Sequence, residues 1–187
     1  MGPKLAARFG DGRGGQRIIA REAGRCKPAF RIFWVVKTFA HPPDTELLLA
    51  RLRRVSPDSE RRWGRMTPGQ MLCHLSDAMR HSLGDRPSSS YRPTWWRTKG
   101  MKWIGLWVPI PWPHGLRSRP ELDPQRGGSQ PGEFAKDLAT LEDLTRRFIA
   151  GAATLPGAHP LFGPLTAKEW LRWCWLHHDH HLRQFGV

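Results

Sequence analysis

After residue 40, apolar side chains recur every three or four positions in four separate stretches, the period of an amphipathic helix. In the first, about Asp44 to Arg54, Leu47, Leu48, Leu52 and Val55 form the stripe, with Pro42-Pro43 before it and Ser56-Pro57 ending it. The second opens at Thr67-Pro68-Gly69-Gln70. A Thr N-cap, a proline at the first helical position and a glutamine three residues on make a capping-box pattern. This helix runs through Met71, Leu75, Ala78, Met79 and Leu83 and stops at Gly84. The third spans about Glu133 to Gly151, with Phe134, Leu138, Leu141, Leu144, Phe148 and Ile149 on its apolar side. The fourth opens with a second capping box, Thr166-x-x-Glu169, and runs to about Phe185. No β-hairpin signal and no internal repeat stands out. The pattern predicts an all-α domain, a four-helix bundle with a long crossover between its second and third helices.

That crossover, residues 85–131, is rich in proline, glycine, serine and tryptophan. It holds Trp95, Trp96, Trp103, Trp107 and Trp112, five of the ten tryptophans in the chain. Loops of this length are uncommon inside a domain and more often serve as lids or binding loops than as passive connectors. The 187 residues suit one domain with a substantial core. Three cysteines cannot all pair and their spacing fits no zinc finger, so a disulfide scaffold is excluded and a reducing, cytoplasmic setting is expected. The longest membrane candidate, Trp103 to Pro113, is short and carries three prolines, so no transmembrane segment is expected.

The net charge of +14 is unevenly spread. Residues 1–35 hold eight Lys and Arg against two Asp and Glu, in a glycine-rich context with few apolar residues. Such a segment cannot offset its ordering entropy and is expected to be disordered. It reads either as a basic arm or as an extension upstream of the true start, since Val36-Lys37-Thr38 opens the organised region and valine at a GTG codon can begin a bacterial chain. Residues 36–187 form the domain. Their remaining excess of basic residues reads as a solvated surface, and nucleic acid is not the expected partner.

The last helix carries the most informative stretch, Trp173-Cys-Trp-Leu-His177-His178-Asp179-His180-His181-Leu-Arg-Gln184. At about 100° per residue, His177 and His181 share the stripe that carries Trp170 and Trp173, while His178 and His180 flank it. Two histidines at i and i+4 on one helix face can ligate one metal ion. Unpaired imidazoles buried among tryptophans would otherwise be costly. A third ligand must come from another helix. His74, mid-way along the second helix beside Met71 and Ala78, is the best candidate, with His81 two turns on as its substitute. Three imidazoles with open positions are the arrangement of a catalytic metal site rather than a closed structural one. Asp179, His180 and Gln184 are candidates to orient the ligating rings. Asp77 reads as a solvated position, Cys174 as a packing thiol and Cys73 as inert.

Three stretches together resemble the DinB/YfiT-like superfamily: Met66-Thr-Pro-Gly-Gln-Met-Leu-Cys-His74-Leu, the turn His159-Pro-Leu-Phe-Gly-Pro-Leu165, and His177-x-x-His-His181-Leu-Arg-Gln-Phe-Gly186. The branch most similar is known only as domain of unknown function 1569, and the likeness runs from about Val36 to the end. The resemblance implies a DinB-like four-helix bundle and a divalent metal held by His74, His177 and His181. It also implies kinship with thiol-dependent transferases and isomerases and with metal-dependent hydrolases.

The expected function is therefore a metal-dependent enzyme, foremost a transferase that uses the bound metal to activate a low-molecular-weight thiol, or else a hydrolase that activates water. Imidazole ligands suit zinc, nickel or iron. The partners expected are that thiol and an electrophilic or anionic small molecule, drawn in by Arg92, Arg97, Lys99, Lys102, Arg117 and Arg119 of the crossover. A dimer is compatible with the sequence. The competing reading is a non-catalytic module, in which interleaved Trp and Arg/Lys bind nucleic acid or lie at an anionic membrane surface.

Overall fold

Each helix begins where the chain supplies a start signal. α1 (Pro42–Leu52) opens on its two prolines, placed where a missing N–H costs nothing. α2 (Pro68–Leu83) starts at the anticipated position. At α2, Gln70 N–H donates to Thr67 Oγ1 at 3.2 Å and Thr67 N–H donates to Gln70 Oε1 at 3.0 Å, so the capping box is complete. α2 ends at Gly84, whose φ of 83° is the left-handed conformation glycine adopts without strain. The computed structural model describes residues 36–86, 95–116, 118–155 and 158–187. The expectation of a disordered basic segment over residues 1–35 lies outside them.

The crossover is not all loop. It contains a thirteen-residue helix, α3 (Trp95–Trp107), and a short 3-10 turn, Pro120–Leu122. α4 (Phe134–Gly151) and α5 (Ala167–Gln184) complete the set. α5 carries the second capping box, with Glu169 N–H on Thr166 Oγ1 at 3.3 Å and Thr166 N–H on Glu169 Oε2 at 2.8 Å. Among the described residues there are five α-helices and no strand; the isolated bridge between His159 and Gly163 only closes a turn. The all-α class is thus as expected, with one helix more than the pattern showed.

α2 packs along α4, and α5 lies against α1. Their shared core includes Leu48, Leu49, Leu52, Met71, Leu72, Leu75, Met79, Leu141, Phe148 and Leu182, all fully buried. Burying each such side chain is worth roughly 1.5–3 kcal/mol. In α1 the stripe is rotated by one side chain from its expected setting: Leu49 is buried and Leu47 is half exposed. Among the described side chains of α3, Leu106 is fully buried in this core and Trp107 packs partly buried against it, and Gly105 lets the helix backbone approach the Phe162 ring where a Cβ would clash at 2.8 Å.

Polar clips fasten the crossover. Asp77, read from sequence as a solvated position, is fully buried. It accepts from Ser129 N–H at 2.6 Å, Ser129 Oγ at 2.8 Å, Arg86 at 2.9 Å and Arg80 at 3.1 Å. A buried carboxylate needs that many donors to offset its lost hydration. The result pins the far end of the crossover to the middle of α2.

Candidate metal centre

The capped start of α2 sets the register that turns His74 inward with Met71, Leu75 and Ala78. The capped start of α5 does the same for His177 and His181, one turn apart. The three rings meet. Their centroids lie 4.8 Å (His74 to His181), 5.0 Å (His177 to His181) and 5.1 Å (His74 to His177) apart, and one nitrogen from each falls within 4.8 Å of the others. His74 and His181 are buried, while His177 keeps partial exposure.

Two of the rings are locked by their outer nitrogens. His74 Nδ1–H donates to the Leu122 carbonyl at 2.7 Å, so the 3-10 turn of the crossover orients it. His181 Nδ1–H donates to Gln184 Oε1 at 2.9 Å, and Gln184 Nε2 donates in turn to the Trp63 carbonyl at 2.9 Å. Each acceptor fixes the tautomer and leaves Nε2 bare toward the centre. His74 Nε2 lies 3.1 Å from His177 Nε2.

Neither neutral tautomer of His177 satisfies its ring. With the proton on Nε2 it can donate to His74, and Nδ1 is left as a buried acceptor without a partner. With the proton on Nδ1, two bare nitrogens face each other and the N–H is orphaned. A cation among the three Nε2 atoms removes that lone-pair conflict. Two ligands each about 2.0–2.1 Å from one ion stand roughly 3.0–3.4 Å apart, which the 3.1 Å separation matches.

Electrostatics keep these rings in the ligating form. Burial pushes the His74 pKa down, although its bond to Leu122 opposes the shift. His177 and His181 lie well below the ordinary histidine value, first through burial and then through repulsion among the imidazoles. Three neutral imidazoles are competent ligands without first losing a proton.

The remaining candidates fall in different places. Gln184 bonds a triad ring directly. Asp179 faces α1, where its carboxylate accepts from Arg51 at 2.6 Å, and it bonds none of the three rings. His180 meets His181 edge-on at 5.1 Å without a hydrogen bond to it. It instead borders a cleft of about 150 Å³ shared with Trp63, Trp112 and His114. Trp63 and His114 stack there at 3.9 Å, and Trp112 tilts over both His177 and His180. His81 stands apart from the cluster, with both ring nitrogens buried and unpartnered. Cys174 packs 3.4 Å from Met79 sulfur with its thiol pKa driven well up by burial, and Cys73 is raised to about 11 for the same first reason.

Two features lay beyond the sequence reading. The Leu122 carbonyl carries no side-chain signature, so its hold on His74 has no sequence signal. His178, placed on the flank by the helical wheel, is fully buried. Its Nδ1–H donates to the Cys174 carbonyl at 2.9 Å, and Thr145 Oγ1 lies 3.1 Å from its Nε2, which ties α5 to α4.

No family model matches the chain, and no curated protein or solved structure is significantly similar to it.

Proposed function

We propose that the triad binds one divalent metal ion and that the protein is a metal-dependent enzyme. The observation that carries this reading is the convergence of three neutral imidazoles within 4.8 Å, two of them pinned by their outer nitrogens. A structural role would have been served by apolar side chains at lower desolvation cost. Zinc, nickel and iron suit the donor set. The ion would supply Lewis acidity, lowering the pKa of a bound thiol or water.

The chain's own residues have distinct tasks. Leu122 and Gln184 hold the ligating rings in one tautomer and one orientation. Trp112 and Trp173 stand against His177 and limit water at its partly exposed side. The cleft walled by Trp63, Trp112, His114 and His180 adjoins the triad and offers a place for an organic substrate. The DinB-like resemblance adds the finer part of the proposal: a four-helix bundle with α3 in its crossover, and thiol-dependent transfer to an electrophile as the reaction.

Elemental analysis of the untagged full chain tests the metal, with about one equivalent expected. A His177→Ala/His181→Ala variant is expected to hold almost none. Absence of metal from the wild type after reconstitution with zinc, nickel and iron would sink the proposal. Conjugation of a generic electrophile with a small thiol, compared with His74→Ala, then tests the transferase reading.

A further inference from the structure

α5 carries a second stripe beside the one that holds the triad. At about 100° per residue, Arg172, Leu176, Asp179 and Arg183 fall along one side of the helix, with His180 between that side and His177 and His181. All of the first four, and His180, border the cleft of about 150 Å³ that the crossover closes from the other side. Trp112 reaches from this cleft to His177, with 6.2 Å between ring centroids, and His180 meets His181. Cleft and triad therefore share these two side chains as their boundary.

Arg172 is the odd member of the stripe. It is 7% exposed, and its guanidinium forms no ion pair among the described residues. Nε donates to the Leu106 carbonyl at 2.9 Å, Nη1 donates to the Lys37 carbonyl, and the group lies over the Trp175 ring. The third nitrogen, Nη2, makes no hydrogen bond among the described residues, yet it is not one of the buried atoms left without a partner. It therefore keeps contact with solvent, and the cleft is solvent space that Arg172 lines. Two carbonyl dipoles do not neutralise a full charge, and a buried guanidinium without a counter-charge is costly. Burial pulls its pKa down, and Asp179 and Asp44, neither paired with it, oppose the pull. Asp179 is committed to Arg51 at 2.6 Å, with Arg183 3.8 Å from its other oxygen. The lining thus holds two guanidiniums against one carboxylate, which Arg51 from outside the cleft already neutralises.

We propose that the cleft seats an organic carboxylate, with Arg172 Nη2 donating to its carboxylate oxygen and its body lying along Val108, Ile110 and Leu176 toward Trp112 and His177. One free guanidinium nitrogen suits a single negative charge, and the Asp179 carboxylate in the same wall opposes a dianion such as phosphate. The apolar wall calls for an organic body behind the charge. This names the substrate class of the proposed metal-dependent enzyme and rests on that reading for the reaction that follows. The binding itself needs only Arg172 and the cleft walls.

Isothermal titration of the full chain, metal-loaded and chelator-treated, with phenylacetate, phenylacetamide and inorganic phosphate tests it. The acid and the amide match in size and shape and differ in charge. Phenylacetate is expected to bind about tenfold or more tightly than the amide in both preparations, and more tightly than phosphate. Arg172→Gln should bring the acid down to the affinity of the amide, and Arg172→Lys, which keeps the charge but loses the fork, should recover part of the difference. Arg172 also ties Lys37 to Leu106, so a circular dichroism melt checks that each variant folds. Ile110→Asp, at a wall position 66% exposed, keeps the fold and sets a competing carboxylate in the cleft. It should weaken the acid about fivefold or more and leave the amide within about twofold. Equal binding of acid and amide by the wild type, or binding of neither, overturns the proposal, as does phosphate binding as tightly as phenylacetate. So does an undiminished preference for the acid in a folded Arg172→Gln or Ile110→Asp chain, or a preference confined to the metal-loaded chain, which would place the carboxylate on the metal. A chain that takes up no metal yet prefers phenylacetate supports the subsite while ending the metal-dependent reading; a metal-loaded chain without the preference does the reverse.

Discussion

α5 and α3 are both rich in tryptophan, yet they use it in opposite directions. On α5, Trp170, Trp173 and Trp175 are buried; the first two meet the rings of Phe148, His159 and His177, and Trp175 lies under Lys37 and Arg172. On α3, Trp103 stands in solvent. The difference lies in what surrounds the residue type. α5 begins with a capping box, has no glycine in its interior, and sets its ligands on the stripe its tryptophans build. α3 has glycines at 100 and 105, turns Leu106 and Trp107 to the core, and adds polar inward contacts through Lys102 and the Leu106 carbonyl. One helix uses its aromatic surface to enclose a site, and the other packs Trp107 against the core and leaves Trp103 exposed.

The sharpest way to break this contrast is to remove ligands. His177→Ala/His181→Ala should take metal content from about one equivalent to near zero, whereas Trp103→Ser/Ile104→Ser should leave it unchanged; elemental analysis reads both. Next in size is packing. Trp173→Ala should cost about 3–5 kcal/mol of stability in urea unfolding, against a change within about 0.5 kcal/mol for Trp103→Ala. Equal costs would show that α3 is covered rather than exposed.

The orienting bond is smaller. Gln184→Ala removes the acceptor from His181 and should weaken metal affinity about 10- to 100-fold, with Gln184→Glu recovering much of it. Competition with a chromophoric chelator measures this. Trp112→Ala should leave affinity within a few-fold, because that ring covers the site without bonding it.

The smallest effect is a matter of slope. His159 accepts backbone N–H groups from Leu161 and Phe162 through Nδ1, at 3.1 and 3.2 Å. Burial first, then Arg119, lowers its pKa from 6.5 to about 3. The folded state therefore binds fewer protons than the unfolded chain in that window. Its contribution is whole above pH 6.5 and is lost as pH falls toward 3. His159→Asn keeps an acceptor but cannot titrate. Its stability should be lower at pH 7, through lost stacking on Phe162 and Trp173, and should fall less steeply from pH 6.5 to 3.

Legibility in the sequence followed locality. Both capping boxes, the ends of α2 and the inward set of α5 were readable because each depends on residues within one or two turns. The pairing of His74 with His177 and His181 was readable because burying bare imidazoles needs a reason. α3 was not readable, since Met101, Trp103 and Ile104 point outward and its two glycines, with the prolines that follow it, mimic a loop. Asp77 was misjudged for the same kind of cause: its partner Ser129 stands 52 residues away, and no local pattern announces it.

The contacts of α5 also set an order of events. It bonds each of the other four α-helices and two of the connecting segments. Leu171 O accepts from Phe39 N–H, Arg172 donates to Lys37 and Leu106, and Asp179 takes Arg51. Gln184 takes the segment around Trp63, His178 meets Thr145, and His177 meets His74. Of these elements α5 leaves the ribosome last, at roughly 5–20 residues per second behind the one before it. Until it emerges, these anchors are missing, although Asp77 can already hold Ser129 and Arg53 can already hold Glu142. The nascent chain must therefore wait with α2 packed along α4 but with the leucines of α1 without the helix they lie against. Translation speed through residues 134–187 and early chaperone capture thus become quantities that govern the yield of folded protein.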